Sequence, residues 1–516
     1  MKEVSEAFTF EPPPPIPESD IKKTLSYDVV VIGAGTAGLA AAVSAAEEHA
    51  EVALIEKKSV YTARGGDNAA LNSKLHRQLG IQIDVEEIVK NLMVISSYRA
   101  DERLIRLWAY NCGHVADWLI DLCAEVGVKT WLVFPDREDR YTMVIDRWPP
   151  SGVPQNWDYR KETHVEYPVC HRFGPTPGCN QASLLKVLEN KAKKLGVDVK
   201  YQTEAKRLET MEDGRVTAVI ARVAKNSYVR FAARRAIILA TGDYGGNKAL
   251  VEHFVPEDIA KLPPLMPAWF RLGTGDGHLM AYWIGAQFEP RPHPVILHHW
   301  HALGTDPFLM VDKFGKRFAN EDLNVVYFAN QCLKRGGIWV IFDQNWPDYA
   351  CKLGPGFFRV WKVNEKVLSE FKEKVDSGEV IVGNSIDELA QKMKSITPEL
   401  DIQGFKNTVS RYNELCRMGK DVDFGKSPHK LFPVEKPPFY ANWSDTPRFI
   451  ATLGGLIVNE NLQPIDGKGR PIDGLYCAGN TVGGRFGLDY PPMCPGLSHS
   501  MAWTYGFIVG KHSMKS

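Results

Sequence analysis

The spacing of apolar residues changes period several times along the chain, and each change marks an element. Tyr27-Asp28-Val29-Val30-Val31-Ile32 is a short β-branched run, the pattern of a strand buried on both faces. Gly33-Ala34-Gly35-Thr36-Ala37-Gly38 follows at once, and the alanine-rich stretch 39–48 behind it predicts a helix. Glu51-Val52-Ala53-Leu54-Ile55 predicts a second strand ending at Glu56. Together these form a βαβ unit with a right-handed crossover. Further on, QASLLKVLENKAKKLG (181–196) has the period of an amphipathic helix closed by Gly196. Residues 197–223 alternate as meandering strands with a turn at Asp213-Gly214, and AIILA (236–240) reads as another buried strand.

The glycines of the first turn have separate tasks. Gly33 makes the turn, Gly35 lets a pyrophosphate approach the backbone, and Gly38 lets helix pack on strand. Thr36 and Ala37 open the helix, whose free N–H groups and positive dipole end favour phosphate. Glu56, 23 residues past Gly33, stands where a carboxylate binds ribose hydroxyls. Strand, turn, helix, strand and acid in register predict a bound dinucleotide. A second turn, Gly242-Asp243-Tyr244-Gly245-Gly246-Asn247, has no downstream acid, so a nicotinamide domain of the chain's own is not expected.

Bulk properties narrow the partners. A chain of 516 residues predicts two or three domains with a large core. Its 62 basic and 62 acidic residues cancel, so no global field favours nucleic acid or an anionic membrane. Nine cysteines include no C-x-x-C pair, which argues against iron–sulfur ligation, structural zinc and a dithiol motif. No run of about 18 apolar residues would span a bilayer, and MKEVSEAFTFEPPPPIPESD lacks the apolar core of a signal peptide. A cytoplasmic protein with reduced thiols and an extended proline-rich tail over 1–23 is expected.

Several segments together resemble the fumarate reductase/succinate dehydrogenase-like flavoproteins, in the branch of the 3-ketosteroid dehydrogenases. They are VVVIGAGTAGLAAA, Arg64-Gly65-Gly66-Asp67-Asn68-Ala69-Ala70, LATGDYGGN (239–247), TGDGHLMAYWIGA (274–286), GKRFANED (315–322) and KPPFYA (436–441). The C-terminal block 452–510 completes the order, with its glycine pair, the run Gly474–Asn480 and a Gly-opened last helix. The resemblance implies an α/β fold: a bipartite Rossmann-like FAD-binding domain at 24–265 and 430–516, interrupted by an α+β capping domain at 266–429. For FAD it points to Gly33, Gly35, Thr36, Ala37, Gly38, Glu56, Lys57, Arg64, Gly65, Gly66, Asp67, Thr241, Gly242 and Asp276. At the other end of the chain it points to Gly479, Asn480, Gly496, Leu497 and Ser498. Backbone N–H groups at Leu497-Ser498 would stabilise negative charge on the reduced flavin. Covalently flavinylated relatives carry a histidine before the glycine pair; Val60–Gly66 has none, so non-covalent FAD is expected.

The substrate positions depart from the dicarboxylate pattern. Where fumarate-reducing members place an arginine this chain has Leu303-Gly304-Thr305-Asp306, and their second substrate arginine aligns near Tyr490. A dicarboxylate buried without cations would cost several kcal/mol per charge. Tyr490-Pro491-Pro492-Met493-Cys494-Pro495-Gly496 resembles instead the tyrosine–proline–glycine loop of ketosteroid dehydrogenases. The resemblance implies hydride exchange at flavin N5, a tyrosine that manages the proton on the neighbouring carbon, and backbone donors that polarise a carbonyl. Tyr490 is the first candidate for that proton and Tyr327 the second. Arg485 would hold an anionic group or act as an acid, or else meet a structural carboxylate. In the run Pro292–His301, His293 and His299, with Gly496, are the substrate-contact candidates. His298 and His301 are further pocket-wall candidates, and no metal is expected.

Trp131, Phe134, Tyr141, Trp148, Trp157, Tyr159, Tyr167 and Phe173 either staple a proline-rich loop to the body or form an apolar wall for a ring-shaped ligand. The expected activity is reduction of an activated C=C bond in a bulky substrate that is not a dicarboxylate, a steroid-like enone or a plant polyphenol such as an isoflavonoid. The alternatives are 1,2-dehydrogenation of the ketosteroid type and a non-catalytic subunit relaying electrons. Electrons would come from a separate donor: reduced flavin, a flavodoxin- or ferredoxin-like protein, or a reductase.

Overall fold

The computed structural model describes residues 10–134, 143–144, 163, 166–175, 181–265, 267, 272–353, 360 and 363–514. Its centre is a seven-stranded sheet built around β1 (Ile21–Ile32), with β2 (Val52–Ile55) on one side and the strand Ser227–Leu239 on the other. All three run parallel, as do Asp198–Lys200 beyond β2 and Leu475–Cys477 against Ser227–Leu239. Glu204–Thr210 and Val216–Ala224 extend the far edge antiparallel. The residues expected as one meander therefore divide: their first strand crosses to the other edge of the sheet. β1 starts at Ile21, within the expected tail. Ahead of it, the Phe10 carbonyl accepts the Trp283 indole N–H at 3.1 Å and the Pro13 carbonyl accepts from Arg207, also at 3.1 Å.

Helix α1 (Thr36–Glu47) is buried along nearly its whole length, because the C-terminal helix Leu497–His512 lies against it. Glycines make that approach. A Cβ on Gly506 would stand 2.2 Å from the Ala37 carbonyl oxygen, and one on Gly510 2.0 Å from the Ser44 hydroxyl. The two ends of the chain are thus clasped backbone to backbone, beside the edge of the sheet where β1 ends.

A second layer holds its own sheet, in the order Leu309–Val311, Ile338–Asp343, Phe439–Ser444, Val380–Gly383. Phe439–Ser444 pairs inside this sheet, so the inserted layer reaches residue 444 and the return at 430 expected from the sequence lies within it. Arg448–Thr452 then pairs with Val295–His298 and carries the chain back. The GKRFANED segment builds a buried charge cluster here. Arg317 meets Glu321 and Asp421, each at 2.6 Å, and Lys426 meets Glu321 at 3.2 Å. Two cations balance two carboxylates. Glu321→Gln leaves the cluster with a surplus buried positive charge, and we expect a loss of about 3–5 kcal/mol, read as a lower unfolding midpoint.

Six histidines, four of them buried and His298 and His299 partly so, are held neutral by desolvation. His76, His293, His298 and His299 are pushed down to about 4, and His171 and His278 to about 3. The unfolded chain binds protons at these sites below about pH 6.5, whereas the folded chain does not. Their stabilising contribution is therefore complete above pH 6.5 and is withdrawn as pH falls toward 4, by about 1.4 kcal/mol per pH unit per histidine. Glu289, raised to about 7 by burial, and Asp489, also raised by burial, act in the opposite sense, two groups against six. The melting temperature is expected to fall steadily between pH 6.5 and 4.5; a flat profile would contradict the burial of these rings.

Among the aromatics of 131–173, the Trp131 indole donates to the Gly174 carbonyl at 2.9 Å and the Tyr167 hydroxyl to Glu87 at 2.5 Å, both tying that stretch to the body. Tyr141, Trp148, Trp157 and Tyr159 lie outside the described residues.

Candidate functional site

A cavity of about 660 Å³ is lined by residues from the end of β2, the α1 N-terminus and the loop before the C-terminal helix. Gly33, with φ +105°, turns the chain out of β1, and a Cβ there would sit 2.4 Å from the Ala240 carbonyl oxygen. A Cβ on Gly38 would stand 1.8 Å from the Gly33 carbonyl oxygen, so Gly38 packs behind the turn and does not line the cavity. At Gly35 and Gly242 an added Cβ meets nothing within 4 Å; both backbones border open space where a ligand can approach. The Glu56 carboxylate is fixed by the Ala34 N–H at 2.8 Å and the Lys58 N–H at 2.9 Å. Lys57 borders the same end and pairs with Asp276 at 2.8 Å, and also bonds Thr274. Asp276 is one step removed from the cavity, and the Lys57 ammonium holds its carboxyl low against the opposing effect of burial.

The far wall comes from the other end of the chain. Asn480 Oδ1 accepts from Arg485 Nη2 at 3.0 Å and from the Ser498 hydroxyl at 3.1 Å, which fixes the amide's orientation. Thr241 and Thr481 hydroxyls meet at 3.2 Å beside it. The first amides of the C-terminal helix have partners within the chain. Leu497 N–H donates to the Cys494 carbonyl at 3.0 Å, and Ser498 N–H to the Tyr490 hydroxyl oxygen at 3.2 Å. The loop 490–496 folds back over the helix start, which is why Leu497 is buried beneath the wall and Tyr490 lies in it. Burial raises the Tyr490 hydroxyl well above the ordinary tyrosine range, so it carries its proton at neutral pH.

Two arginines reach the cavity, each joined to an aspartate. Arg172 donates to Asp67 through Nε at 2.8 Å and Nη2 at 2.6 Å, and Arg64 meets Asp243 at 3.1 Å. Burial works against the Asp67 charge, but Arg172 and the Cys170 thiol keep its carboxyl below the ordinary range. His499 donates from Nδ1 to the Asp67 carbonyl at 2.8 Å and packs on Gly65, where a Cβ would stand 2.8 Å from its Cε1.

The lining also includes an apolar set: Leu265, Leu272, Ile296, Val325, Ile450, Ala451, Pro492 and Pro495, with Trp300 and His298. Strand parity selects among the histidines. Along Val295–His298 alternate residues face the cavity, which brings Ile296, His298 and Trp300 to the wall. His299, expected at the substrate, points the other way, its ring against Phe328. His293 is also away from the cavity: its Nε2–H donates to the Glu289 carbonyl at 2.8 Å and its Nδ1 accepts from the Tyr244 hydroxyl at 2.6 Å.

Sixteen of the cofactor positions expected from the sequence border this cavity, from Gly33 to Ser498; Gly38, Asp276 and Leu497 stand behind it. Of the catalytic candidates only Tyr490 does. Tyr327, two residues along the helix Val325–Arg335 and so turned away from the face that puts Val325 in the wall, is half-buried with its hydroxyl raised to about 12 by burial. Arg485 is 1% exposed, beneath the wall. It makes no ion pair among the described residues and bonds the Val482 and Leu453 carbonyls besides Asn480. Burial lowers its guanidinium to about 10. Arg172, Asp243 and His499 are wall residues that the sequence reading did not single out. For Asp243 the signal was its place directly after Thr241-Gly242; for Arg172 and His499 contacts across the fold decide.

A βαβ glycine turn crossed by a C-terminal helix, over a cleft rimmed by glycine backbone and the Glu56 carboxylate, is the frame of a dinucleotide-binding flavoprotein. The chain belongs to the FAD binding domain family, which it matches over residues 28–492. It is 29% identical over 521 residues to the vinyl phenol reductase of Lactiplantibacillus plantarum, covering 95% of this chain and 96% of that protein. It is 26% identical to the 3-oxosteroid 1-dehydrogenase of Mycolicibacterium smegmatis, over 94% and 96% of the two chains. In structure it is similar to the 3-ketosteroid-Δ4-(5α)-dehydrogenase from Rhodococcus jostii, with a TM-score of 0.73, 22% identity and coverage of 95% and 97%. The chain is an FAD-dependent oxidoreductase acting on C=C or CH–CH bonds. Among the described residues no helix is long and apolar enough to cross a membrane.

Proposed function

We propose that this protein reduces a C=C bond conjugated with an aromatic ring or a carbonyl, in a flat, bulky substrate without a carboxylate pair, and that Tyr490 delivers the proton. The observation that carries this reading is Tyr490, a phenol that keeps its proton at neutral pH and stands in the wall of a cavity lined also by glycine backbone and apolar side chains. Its oxygen accepts the Ser498 N–H at the positive end of a sixteen-residue helix, a contact that stabilises charge on that oxygen as the proton leaves. Arg64 and Arg172 are each joined to an aspartate, which argues against a dicarboxylate. The similarity to a vinyl phenol reductase along nearly the whole of both chains favours an arene-conjugated alkene among such substrates.

The cradle fits FAD: open space at Gly35 and Gly242, the fixed Glu56 carboxylate, and Asn480 and Thr241 in the wall. When bound, FAD supplies the two-electron hydride chemistry. Glu56 would hold the adenosine ribose, the first turn of α1 the pyrophosphate, and Asn480 with Ser498 the ribityl and ring region. The absence of histidine from Val60 to Gly66 supports non-covalent attachment. A separate reductase, reduced flavin or flavodoxin-like protein would deliver electrons.

Stopped-flow mixing tests the direction. Chemically reduced protein is expected to be reoxidised by styrenes or enones faster than oxidised protein is reduced by the saturated counterparts. Reaction of the oxidised form alone would reassign the protein as a dehydrogenase.

A further inference from the structure

Beneath the cavity wall lies a cation that the chemistry above does not use. Among the described residues the buried Arg485 guanidinium meets no carboxylate. Its Nε donates to the Val482 carbonyl at 2.8 Å, and its Nη2 to the Leu453 carbonyl at 3.3 Å and to Asn480 Oδ1 at 3.0 Å, while Nη1 is buried without a partner. The groups whose charge acts on it are Glu289, Tyr490 and Tyr505. Glu289 is engaged by the Gly455 and Gly484 N–H groups, both at 2.8 Å, and the Tyr505 hydroxyl donates to the Leu104 carbonyl. Close glycine packing locks the loop ahead of Arg485: a Cβ on Gly483 would stand 2.7 Å from the Gly455 carbonyl oxygen. A buried charge held this way is costly at rest and gains when an opposite charge develops beside it.

Tyr490 is where such a charge would develop, and two residues join it to Arg485. Asn480 Oδ1 accepts from the guanidinium and, at 3.1 Å, from the Ser498 hydroxyl. The N–H of that same Ser498 donates to the Tyr490 hydroxyl oxygen at 3.2 Å. Ser498 is therefore held at both its polar groups, by Asn480 on one side and by the phenol on the other. The remaining ionisable groups acting on Tyr490 are Asp67 and Cys494. Asp67 opposes ionisation of the phenol but is matched by Arg172 at 2.6 Å, and burial keeps the Cys494 thiol protonated. Arg485 is left as the unmatched charge acting on that oxygen.

We propose that Arg485 is a positioning residue for proton delivery: it fixes Asn480 and Ser498 behind Tyr490 and favours the phenolate left when the proton departs. This rests on the reading of Tyr490 as the proton donor. In that step the Tyr490 O–H bond breaks, its electron pair stays on oxygen until water restores the proton, and one alkene carbon gains the proton while its neighbour takes hydride from reduced FAD. The test places a trifluorotyrosine, far more acidic than tyrosine, at position 490 of the FAD-loaded protein and titrates its fluorine resonances. Arg485→Met should raise the midpoint by about one pH unit, a tenfold change in ionisation, and slow reoxidation by a styrene about tenfold or more. Arg485→Lys, which keeps the charge, should recover most of the wild-type midpoint. Arg485→Gln, neutral but still able to donate to Asn480, replaces Arg485→Met if that variant does not hold FAD. An unshifted midpoint in the neutral variant overturns the proposal. So does failure of both neutral variants to fold, which would make the guanidinium a structural support. Tyr490→Phe reports separately on the proton-donor reading: unaltered reoxidation there sinks that reading, whereas slowed reoxidation together with an unshifted midpoint in Arg485→Met sinks the Arg485 proposal alone.

Discussion

Tyr490→Phe is expected to keep its FAD and its fold while reoxidation by substrate slows by about 10²–10⁴-fold. The substitution removes one oxygen. That oxygen accepts the Ser498 N–H at 3.2 Å, and the phenyl ring keeps its contact with Phe486, 5.6 Å between centroids. The amide left without its acceptor stands at a helix start beside the cavity, where water or ligand can replace the bond. Packing is thus conserved and proton delivery is lost. Single-turnover mixing separates the two: the flavin spectrum of the resting variant should match wild type, while the rate of reoxidation by substrate falls. Unaltered reoxidation would move the acid elsewhere, and Arg485 is poorly placed for it, lying beneath the wall with its guanidinium bonded to two carbonyls and Asn480.

Gly506→Ala is expected to loosen the clasp between the chain ends and with it the hold on FAD. The added methyl carbon would lie 2.2 Å from the Ala37 carbonyl oxygen and 3.0 Å from its carbon, and neither backbone atom can rotate aside. The helices must part, although a neighbouring contact holds them at that spacing: Ser44 donates to the Phe507 carbonyl at 3.0 Å. Overpacking of this kind costs about 1–3 kcal/mol or more. The same displacement moves Gly35–Ala37 away from Gly496–Ser498, the two halves of one cradle, so FAD affinity should fall about tenfold or more. Thermal unfolding and FAD fluorescence released on dilution measure both quantities. A variant with wild-type melting and wild-type FAD retention would show that the helices do not approach so closely.

Where the sequence reading departed from the structure, a residue's facing or its long-range partner was at issue. His299 was preferred to His298 because a run of imidazoles has no visible parity until the strand Val295–His298 is placed, and the strand's pairing with Arg448–Thr452 is a contact across 150 residues. The return to the first domain was set too early for a similar reason. Phe439–Ser444 joins the inserted sheet by pairing with Ile338–Asp343, which no local pattern announces. Leu497 and Ser498 were expected to offer free amides; the loop 490–496 takes both, because its prolines return the chain over the helix end.

Local patterning by itself determined the βαβ unit, the phosphate turn, the Glu56 position and the chain's dinucleotide class, since each depends on residues within about one crossover of one another. That the two ends of the chain would meet was implied by the resemblance; the structure shows Gly506 and Gly510 making the approach, since only glycine permits such close backbone contact. Tertiary structure alone decided which side chains share the cavity: Arg172 with Asp67, Arg64 with Asp243, Tyr490 with Ser498, His298 in place of His299. Those pairings arise where strands and loops distant in sequence are brought within a few ångströms. Charge compensation and burial, which set the chemistry of each group, exist only once that has happened.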